Sequence, residues 1–492
     1  MSFQTLKYNT SLAMLTDLYQ LTMAYAYWKS GTHDKDAVFH VFFRKNPFKG
    51  GFTIACGLDY VIDYLENFSF DESDINYLAS LLGDDGKALF EQEFLNHLAN
   101  IKFDCDIDAI PEGNVVFPSE PLIRVKGNII QCQILETVLL NIVNFQTLIA
   151  TKAARVKLSA GDAPVLEFGL RRAQGIDGSL AASRAAYIGG CNATSNVLAG
   201  KLFDIPIKGT HAHSWVMSFD DELESFQAYA EAMPNNCVLL VDTYNTLEGV
   251  KKAVEVGKWL KEHNHKFAGI RLDSGDLAYL SIEARKILDE NGFTDTAIVA
   301  SNDLDETIIN SLKEQGAKIN VWGVGTKLIT AYDQPALGGV YKLSAIKKNG
   351  SSEWEYRIKI SEQAIKISNP GIHQVRRFHS EKENLGDMIY DVNLSENNQE
   401  ATMIDPLDIT RRKHFSKEIK YTDLLVPIFR KGKKVYNSPN IHEIKETAKK
   451  SLEMFHSGIK RFVNPHQYPV GIEKSLFDFK TNLILEIRNK EI

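Results

Sequence analysis

The sequence predicts an α/β protein whose largest domain is an irregular, TIM-like parallel α/β barrel, and three observations support that class. From about residue 160, short apolar runs alternate with amphipathic stretches. Four consecutive runs begin at residues 237, 266, 296 and 318, a spacing typical of successive βα units. The amphipathic stretches end at Asn or Gly, as helices commonly do. A doubly wound open sheet stays open as the alternative, because spacing alone does not separate the two.

Length and composition indicate a globular protein of several domains. The chain has 492 residues, which is too long for one compact core, so we expect two or three domains. Its formal net charge of −7 does not suggest a nucleic-acid surface, and no apolar stretch is long enough to span a membrane. The N-terminus lacks the pattern of a signal peptide, and the five cysteines are scattered without a CxxC pair. Reduced thiols and a cytoplasmic location are therefore expected.

Segments outside the βα repeat predict two further domains. Residues 16–31 form a predicted helix that Thr16 or Asp17 caps and Gly31 ends. The polar stretch 381–401 is expected to be a surface loop. The predicted domains are, in chain order, an N-terminal α/β domain at 1–128 that 337–380 completes, the barrel at 129–336, and a small C-terminal domain at 402–492.

Most apolar runs of the repeat end in polar or glycine residues. In parallel α/β folds the active site lies at the carboxyl ends of the strands, so these residues are expected to meet in one pocket. The candidates at these ends are Glu167, Phe168, Arg171, Thr210, His211, His213, Asp242, Arg271, Asp273, Ser301, Gly323, Gly325 and Thr326.

Two short motifs at these ends each have a chemical and a purely structural interpretation. The sequence RLDSGD, 271–276, suits an anionic ligand on Arg271 and a sugar hydroxyl or Mg²⁺ on Asp273 and Asp276. Judged alone, a strand-to-helix loop in which an Asp or Ser caps the next helix is the favoured interpretation. The sequence WGVGTK, 322–327, has the make-up of a phosphate cradle and also that of a simple turn.

Two histidines lie in GTHAHS, 209–214, which follows an apolar run. Along an extended chain His211 and His213 should point to opposite faces. At most one of them then faces the pocket easily, and the other is expected to be a satisfied core group. Phe168 is suited to stack on a flat ring or, judged alone, to a place in the core.

Nine motifs taken in order resemble the nicotinate phosphoribosyltransferase family. They are LTDLYQLTMAYAYWKSG, FFRKNPF, EG at 112–113, EFGLRR, GTHAHSW, VDTYN, RLDSGD, SND and GVGT. The resemblance implies an irregular α/β barrel with an N-terminal α/β domain, assembled as a homodimer. It also implies that nicotinate and 5-phosphoribosyl 1-diphosphate give nicotinate mononucleotide and diphosphate, a step of NAD salvage. ATP hydrolysis would be coupled to this reaction through phosphorylation of His213, with Mg²⁺ as cofactor.

The resemblance also implies roles for individual residues. Asp242 and Asp273 would hold ribose hydroxyls or Mg²⁺, and Arg171 would reach a phosphate or diphosphate. Three residues of the last motif, Gly323, Gly325 and Thr326, would cradle the 5′-phosphate. The remaining substrate-binding candidates are Phe168 and Tyr19 flanking the pyridine ring, Arg271 facing its carboxylate, Asp17 supplied with Tyr19 by the neighbouring subunit, and Thr210, Ser301 and Asn192.

Asn192 bears on which pyridine is used. Nicotinamide-using relatives carry an Asp in a GTDT-like stretch, and the stretch matched to it here is GCNAT with Asn192. A carboxylate at that place would repel nicotinate and an amide would not, so the acid is favoured.

Several other functions are considered beside this one. A nicotinamide or quinolinate phosphoribosyltransferase is the nearest rival, and quinolinate, with two carboxylates, should demand more basic residues. A barrel that binds a phosphate metabolite without catalysis needs no acceptor histidine. A metal-centred hydrolase would need more ligands than His211 and His213. Release of ADP in the presence of both substrates separates the transferase from the binding protein.

Overall fold

The computed structural model describes residues 11–348, 350–395 and 400–490. The chain divides into two compact units. Unit 1 comprises the described parts of Met1–Thr147, Ala336–Asn440 and Lys450–Ile492, and unit 2 comprises Leu148–Pro335 and Ile441–Lys449. None of the helices in the described ranges has the length and apolar character needed to cross a membrane.

Strands and helices alternate along most of the chain. The strands are β1 (Asp36–Phe42), β2 (Thr53–Ile54), β3 (Asp106–Ala109), β4 (Val115–Val116), β5 (Ile123–Asn128), β6 (Val165–Glu167), β7 (Ala193–Thr194), β8 (Val238–Leu240), β9 (Gly269–Leu272), β10 (Ala297–Ala300), β11 (Val321–Val324), β12 (Val340–Lys347), β13 (Glu355–Tyr356), β14 (His373–His379), β15 (Asn384–Asp391), β16 (Ala401–Ile404), β17 (Arg412–Phe415), β18 (Lys420–Asp423), β19 (Val426–Arg430), β20 (Lys433–Lys434) and β21 (Val470–Glu473). The α-helices are α1 (Leu18–Lys29), α2 (Leu58–Glu66), α3 (Glu72–Ala79), α4 (Gln92–Ala99), α5 (Ile129–Ile134), α6 (Glu136–Ala160), α7 (Gly175–Ile188), α8 (Val197–Phe203), α9 (His213–Val216), α10 (Glu222–Ala232), α11 (Thr246–Glu262), α12 (Leu277–Glu290), α13 (Glu306–Glu314), α14 (Thr326–Ile329), α15 (Ile441–Glu453) and α16 (Lys474–Lys490).

Unit 1 is built on two mainly antiparallel sheets. Seven strands form the first sheet in the order β13-β12-β1-β5-β3-β19-β20, and six form the second in the order β17-β16-β21-β15-β14-β18. Buried side chains of the second sheet pack as one cluster, in which the rings of Phe378 and Phe415 stack with centroids 3.8 Å apart. Residues from both ends of the chain and from its middle therefore share one unit.

Unit 2 contains a parallel sheet of six strands in the order β7-β6-β11-β10-β9-β8. Its strands are short apolar runs because helices cover parallel sheets, and Leu240, Ile270 and Ile298 are fully buried. The helices that follow β8, β9 and β10 start where an Asn or Asp side chain accepts a hydrogen bond from the first turn. These caps fix where each loop at the carboxyl edge of the sheet ends and the next helix begins.

The strand order excludes the doubly wound alternative. Across the sheet the strands follow the order β8, β9, β10, β11, β6, β7. Each step along the chain from β8 to β11, and the step from β6 to β7, therefore runs in the same direction across the sheet. A doubly wound sheet would reverse direction at a switch point. In the described residues no ladder joins β7 to β8, although Ile207 forms a single parallel bridge with Thr194 beside β7. The sheet is thus parallel and wound in one sense, with an open seam before β8.

One predicted element outside the βα repeat is confirmed, and others differ from what the sequence predicts. The predicted helix at 16–31 is confirmed as α1, with Gly31 in the left-handed conformation after it. The surface loop expected at 381–401 is wrong for its first half, because β15 pairs there with both β14 and β21 and buries its apolar residues. Of that stretch, residues 396–399 lie outside the described residues. Of the residues of the expected C-terminal domain, 402–492, Ile441–Lys449 belong to unit 2, and the other described ones belong to unit 1, where β19 joins the first sheet.

Candidate active site

The carboxyl edge of the parallel sheet in unit 2 gathers most of the predicted site residues. Arg271 is the third residue of β9, and Asp273 and Ser301 directly follow β9 and β10. Asp242 comes two residues after β8, and His213 opens α9. Because the strands are parallel and in register, these side chains meet at one edge, as the sequence predicts.

Arg271 is the centre of the cluster. Its Nε donates to Ser301 Oγ at 2.8 Å, and its Nη1 donates to Thr210 Oγ1 at 2.9 Å and to the His211 carbonyl at 3.2 Å. Its Nη2 donates to Asp273 Oδ1 at 3.0 Å. A guanidinium carries five N–H groups, so at most one, on Nη2, is left for a ligand. Arg271 therefore ties three loops together in addition to carrying positive charge.

The two aspartates are held by different means. Asp273 Oδ1 accepts from Arg271 and from the Ser301 hydroxyl. Partial burial acts to raise the pKa of Asp273, but the hydrogen bonds from Ser301 and Arg271 outweigh it and hold the pKa below its usual value. Asp242 is buried, and its Oδ2 accepts from the Asp273 amide at 2.8 Å and from Ser274 Oγ at 2.7 Å. Both residues are therefore oriented by neighbouring loops before any ligand binds.

The second oxygen of Asp242 is the unusual group of this cluster. Oδ1 is buried and has no hydrogen-bond partner among the described residues. A buried carboxylate oxygen normally has a partner, so this atom is suited to a ligand hydroxyl or a cation. The described residues contain no group of three or more His, Cys, Asp or Glu side chains arranged to hold a metal. A cation here would depend on substrate oxygens and water for the rest of its ligands.

His211 is a core residue, as expected for one of the two histidines. Its Nε2 accepts from the Leu240 amide at 3.1 Å, and its ring packs edge-on against Tyr229 with centroids 4.7 Å apart. Burial, with smaller contributions from Arg271 and His213, lowers the pKa of His211 to about 4. The ring is therefore neutral near pH 7, with its proton on Nδ1 because Nε2 is an acceptor.

His213 is the accessible histidine. It is the first residue of the short helix α9, and its side chain is 38 % exposed. Its Nδ1 lies 3.1 Å from Thr243 Oγ1, and its Nε2 lies 3.8 Å from Asp273 Oδ2. The chain turns into a helix here rather than continuing as a strand, and the two imidazoles are nonetheless separated into a buried one and an accessible one.

Phe168 and Gly323 form an apolar wall at the same edge. Phe168 follows β6, and its amide donates to the Val324 carbonyl at 2.8 Å. A Cβ placed on Gly323 would lie 2.8 Å from a ring carbon of Phe168, so only glycine leaves room for this ring. The half-buried ring can offer one face to a flat ligand. Gly323 thus leaves space for the Phe168 ring, an explanation that the sequence alone does not suggest.

Glu167 is structural rather than ligand-binding. Its carboxylate is fully buried and accepts from Ser183 Oγ at 2.9 Å, from Thr194 Oγ1 at 2.6 Å and from the Gly169 amide. All these donors belong to the turn after β6 or to its neighbours β7 and α7. The carboxylate fixes the turn that presents Phe168.

Three predicted phosphate-binding residues surround this turn. Arg171 is exposed in the short 3₁₀ helix Leu170–Arg172, and the Arg172 side chain beside it is exposed as well. Gly325 and Thr326 begin α14, a helix of four residues directly after β11. They lie at the carboxyl ends of β6 and β11, which are neighbours in the sheet.

One predicted residue of unit 2 is not brought to this edge. Asn192 lies at the opposite, amino end of β6, where its Oδ1 accepts from the Val165 amide at 3.0 Å. The backbone of Asn192 also pairs with Val165, so the side chain completes a strand end. Asp17 and Tyr19 belong to unit 1, where Asp17 Oδ2 accepts from Thr137 Oγ1 at 2.7 Å and Tyr19 is 49 % exposed.

Two hydroxyl residues at the edge were not among the predicted site residues. Thr243 contacts His213, and Ser274 contacts Asp242. Both stand within motifs that the sequence shows, VDTYN and RLDSGD, directly after an aspartate. The sequence signal that could have found them is a hydroxyl residue directly after an aspartate at the end of a predicted strand.

The fold and this edge define the class of protein: an α/β enzyme whose site lies at the carboxyl ends of parallel strands and joins a guanidinium, two aspartates and an accessible histidine. Comparison with known proteins makes the class specific. Sequence profiles of nicotinate phosphoribosyltransferase match the chain in three parts, its N-terminal domain at 14–144, the family profile at 164–375 and its C-terminal domain at 372–480. The chain belongs to the nicotinate phosphoribosyltransferase family, which is a family of enzymes.

Individual relatives agree with these matches. A nicotinate phosphoribosyltransferase of Bacillus subtilis is 46% identical over 485 residues, covering 98% of this chain and 96% of that protein. A Caenorhabditis elegans protein of the same name is 38% identical and covers 96% and 93%. The crystal structure of the human nicotinic acid phosphoribosyltransferase has a TM-score of 0.83 at 31% identity, covering 95% of this chain and 99% of that one. A nicotinate-nucleotide pyrophosphorylase from Pyrococcus furiosus, at 22% identity and a TM-score of 0.68, shares the fold.

Proposed function

We propose that this enzyme transfers the phosphoribosyl group of 5-phosphoribosyl 1-diphosphate to nicotinate, giving nicotinate mononucleotide and diphosphate in NAD salvage. The observation that carries the proposal is the joint presence of Arg271, Asp242, Asp273 and an accessible His213 at one sheet edge of a chain from this family. A transferase of this kind needs cations for phosphates, carboxylates for ribose or metal, and an apolar wall for a pyridine. Each of these types of group is present at the edge.

The charge distribution suits the reaction. Displacing diphosphate from C1 of ribose develops positive charge on the sugar, as in glycoside cleavage, and Asp242 and Asp273 supply negative charge at this edge. The pyridine ring would stack on Phe168, which Gly323 leaves room for. The exposed Arg171 can reach a phosphate, and the Nη2 of Arg271 retains one N–H for the nicotinate carboxylate.

Mg²⁺ fits the carboxylates that are present. Asp242 Oδ1 is buried without a hydrogen-bond partner among the described residues, and Asp273 is held ionised. Carboxylate oxygens of this kind are the donors that Mg²⁺ prefers. When bound, the ion would neutralise charge that accumulates on the leaving diphosphate. Asp242 and Asp273 would hold it, and Ser274 and Arg271 would orient those two carboxylates.

ATP is proposed as a co-substrate that phosphorylates His213. Of the two histidines in the loop, His211 is buried and its Nε2 is occupied by a backbone amide, whereas His213 is accessible. A neutral imidazole is a competent phosphoryl acceptor. Phosphorylation would add negative charge next to Arg271 and so change how the site receives the diphosphate substrate.

A homodimer with shared active sites is also proposed. Leu15, Leu18 and Tyr19 are 45 %, 54 % and 49 % exposed around the start of α1, where Asp17 also lies. Large apolar side chains grouped at a surface are typical of an interface. Asp17 and Tyr19 of one subunit would then complete the site of its partner. We also expect an irregular barrel fold for unit 2. Because all five cysteines are buried and none forms a disulfide in the described residues, we expect the enzyme to work in the cytoplasm.

The test compares wild type with His213→Ala after incubation with Mg-ATP, using mass spectrometry at neutral pH. We expect a phosphate on the wild type with formation of ADP, no phosphate on the variant, and hydrolysis of the phosphohistidine to inorganic phosphate when nicotinate and phosphoribosyl diphosphate are added. Nicotinamide in place of nicotinate serves as the competing substrate, and faster discharge by nicotinamide would reverse the assignment of substrate. Binding of phosphoribosyl diphosphate without any product would favour the non-catalytic barrel.

A further inference from the structure

We propose that the Thr243 hydroxyl is the positioning group of His213, and that it fixes the plane of the imidazole for phosphoryl transfer. This inference rests on the proposed function, since it assigns the device that prepares the phosphoryl acceptor. The observation behind it is the 3.1 Å contact between Thr243 Oγ1 and His213 Nδ1. Thr243 does not touch the reacting atoms in this assignment and acts through the histidine.

Thr243 makes the one hydrogen bond of the His213 ring within the described chain. The other ring nitrogen, Nε2, lies 3.8 Å from Asp273 Oδ2, which is beyond hydrogen-bond distance. Asp242, the residue before Thr243, makes no hydrogen bond to the His213 ring within the described chain: its Oδ2 accepts from the Asp273 amide and Ser274, and its Oδ1 has no hydrogen-bond partner there. The orientation of an accessible ring therefore depends on one hydroxyl.

The backbone that carries His213 is already fixed on both sides. On one side, Arg271 Nη1 donates to the His211 carbonyl, and the His211 ring is anchored on the Leu240 amide. On the other side, Trp215 Nε1 donates to the Ser225 carbonyl of α10 at 3.1 Å. With its backbone held in this way, the freedom left to His213 is rotation of the side chain. A hydroxyl on Nδ1 removes that freedom.

Threonine is well suited to this position. Its β-branched side chain has few rotamers, so the hydroxyl is itself held in place. A hydroxyl can donate or accept, so it keeps its bond to Nδ1 whether that nitrogen carries a proton or a lone pair. Thr243 also belongs to the loop between β8 and α11 that holds Asp242, so one loop positions both the His213 imidazole and the Asp242 carboxylate.

The experiment uses the full chain as wild type, Thr243→Val, Thr243→Ser and the control Thr246→Val. Valine has the shape of threonine without the hydroxyl, serine restores the hydroxyl, and Thr246 is a second threonine three residues along at the start of α11. We expect the rate constant for phosphorylation by Mg-ATP to fall about 10- to 100-fold in Thr243→Val, with the KM for ATP changed less than about twofold. Thr243→Ser should recover most of the rate, and Thr246→Val should match wild type.

A second readout does not depend on turnover. In protein labelled with ¹⁵N-histidine, the His213 signals are assigned by their absence in His213→Ala. We expect the Nδ1 signal of wild-type His213 to show the shift of a nitrogen that is hydrogen-bonded to the Thr243 hydroxyl, and that signal to move in Thr243→Val. Identical ring shifts in wild type and Thr243→Val, or equal phosphorylation rates, would overturn the inference. If wild type takes no phosphate while the Nδ1 shift of His213 still depends on Thr243, the ATP step of the proposed function fails and the positioning role stands.

Discussion

Replacing Arg271 by lysine tests whether the guanidinium works as the connection between loops or only as a positive charge. A lysine ammonium could keep the pairing with Asp273, but its single nitrogen cannot also reach Ser301, Thr210 and the His211 carbonyl, which Arg271 contacts at 2.8, 2.9 and 3.2 Å. Each lost hydrogen bond is worth about 1 kcal/mol, which makes about 3 kcal/mol in all. If the lost energy appears in the transition state, kcat/KM falls roughly 10²-fold.

The assay is steady-state formation of nicotinate mononucleotide, with urea unfolding measured in parallel. Arg285→Lys is the matched control, because Arg285 donates to the carbonyls of Thr296 and Phe293, at the amino end of β10. It should lose stability without a comparable loss of kcat/KM. If Arg271→Lys keeps kcat/KM within about threefold of wild type, or falls no further than Arg285→Lys, the role given to the guanidinium geometry is refuted.

Two further predictions address the apolar wall and the stability of unit 1. Gly323→Ala would place a Cβ 2.8 Å from the Phe168 ring, so we expect the KM for nicotinate to rise about fivefold or more in steady-state assays, and an unchanged KM would argue against Phe168 as the stacking surface. Glu120 is buried in unit 1, and burial together with the Asp387 carboxylate raises its pKa well above 4.5. Because a raised pKa contributes stability at low pH that is lost as pH rises through the folded-state value, Glu120→Gln should gain unfolding free energy relative to wild type as pH rises from about 5 to 9. Parallel urea-midpoint curves for the two proteins over that range would contradict this reasoning.

The chemistry of the edge could be predicted from the sequence because strand ends are local features. An apolar run followed by Asp242, or by Arg271 and Asp273, marks a buried strand and the polar loop after it, and parallel strands bring such loops together. The same local logic predicted a helix cap within RLDSGD without saying which residue it is, and in the structure it is Asp276, whose side chain accepts from the first turn of α12. Asn192 was assigned from the resemblance and not from a strand end, and the structure places it directly before β7, at the amino end of β6.

The sequence by itself determined the class of fold, the family and the set of groups that meet at the carboxyl edge, because these depend on local periodicity and on motifs in order. Only the tertiary structure decided how those groups are used. It decided that His211 is buried and neutral while His213 is accessible. It also decided that Arg271 donates four hydrogen bonds to neighbouring residues, and that Gly323 leaves room for the ring of Phe168. Burial, hydrogen-bond partners and close approach all arise between residues distant in the chain, and no pattern of neighbouring residues specifies them.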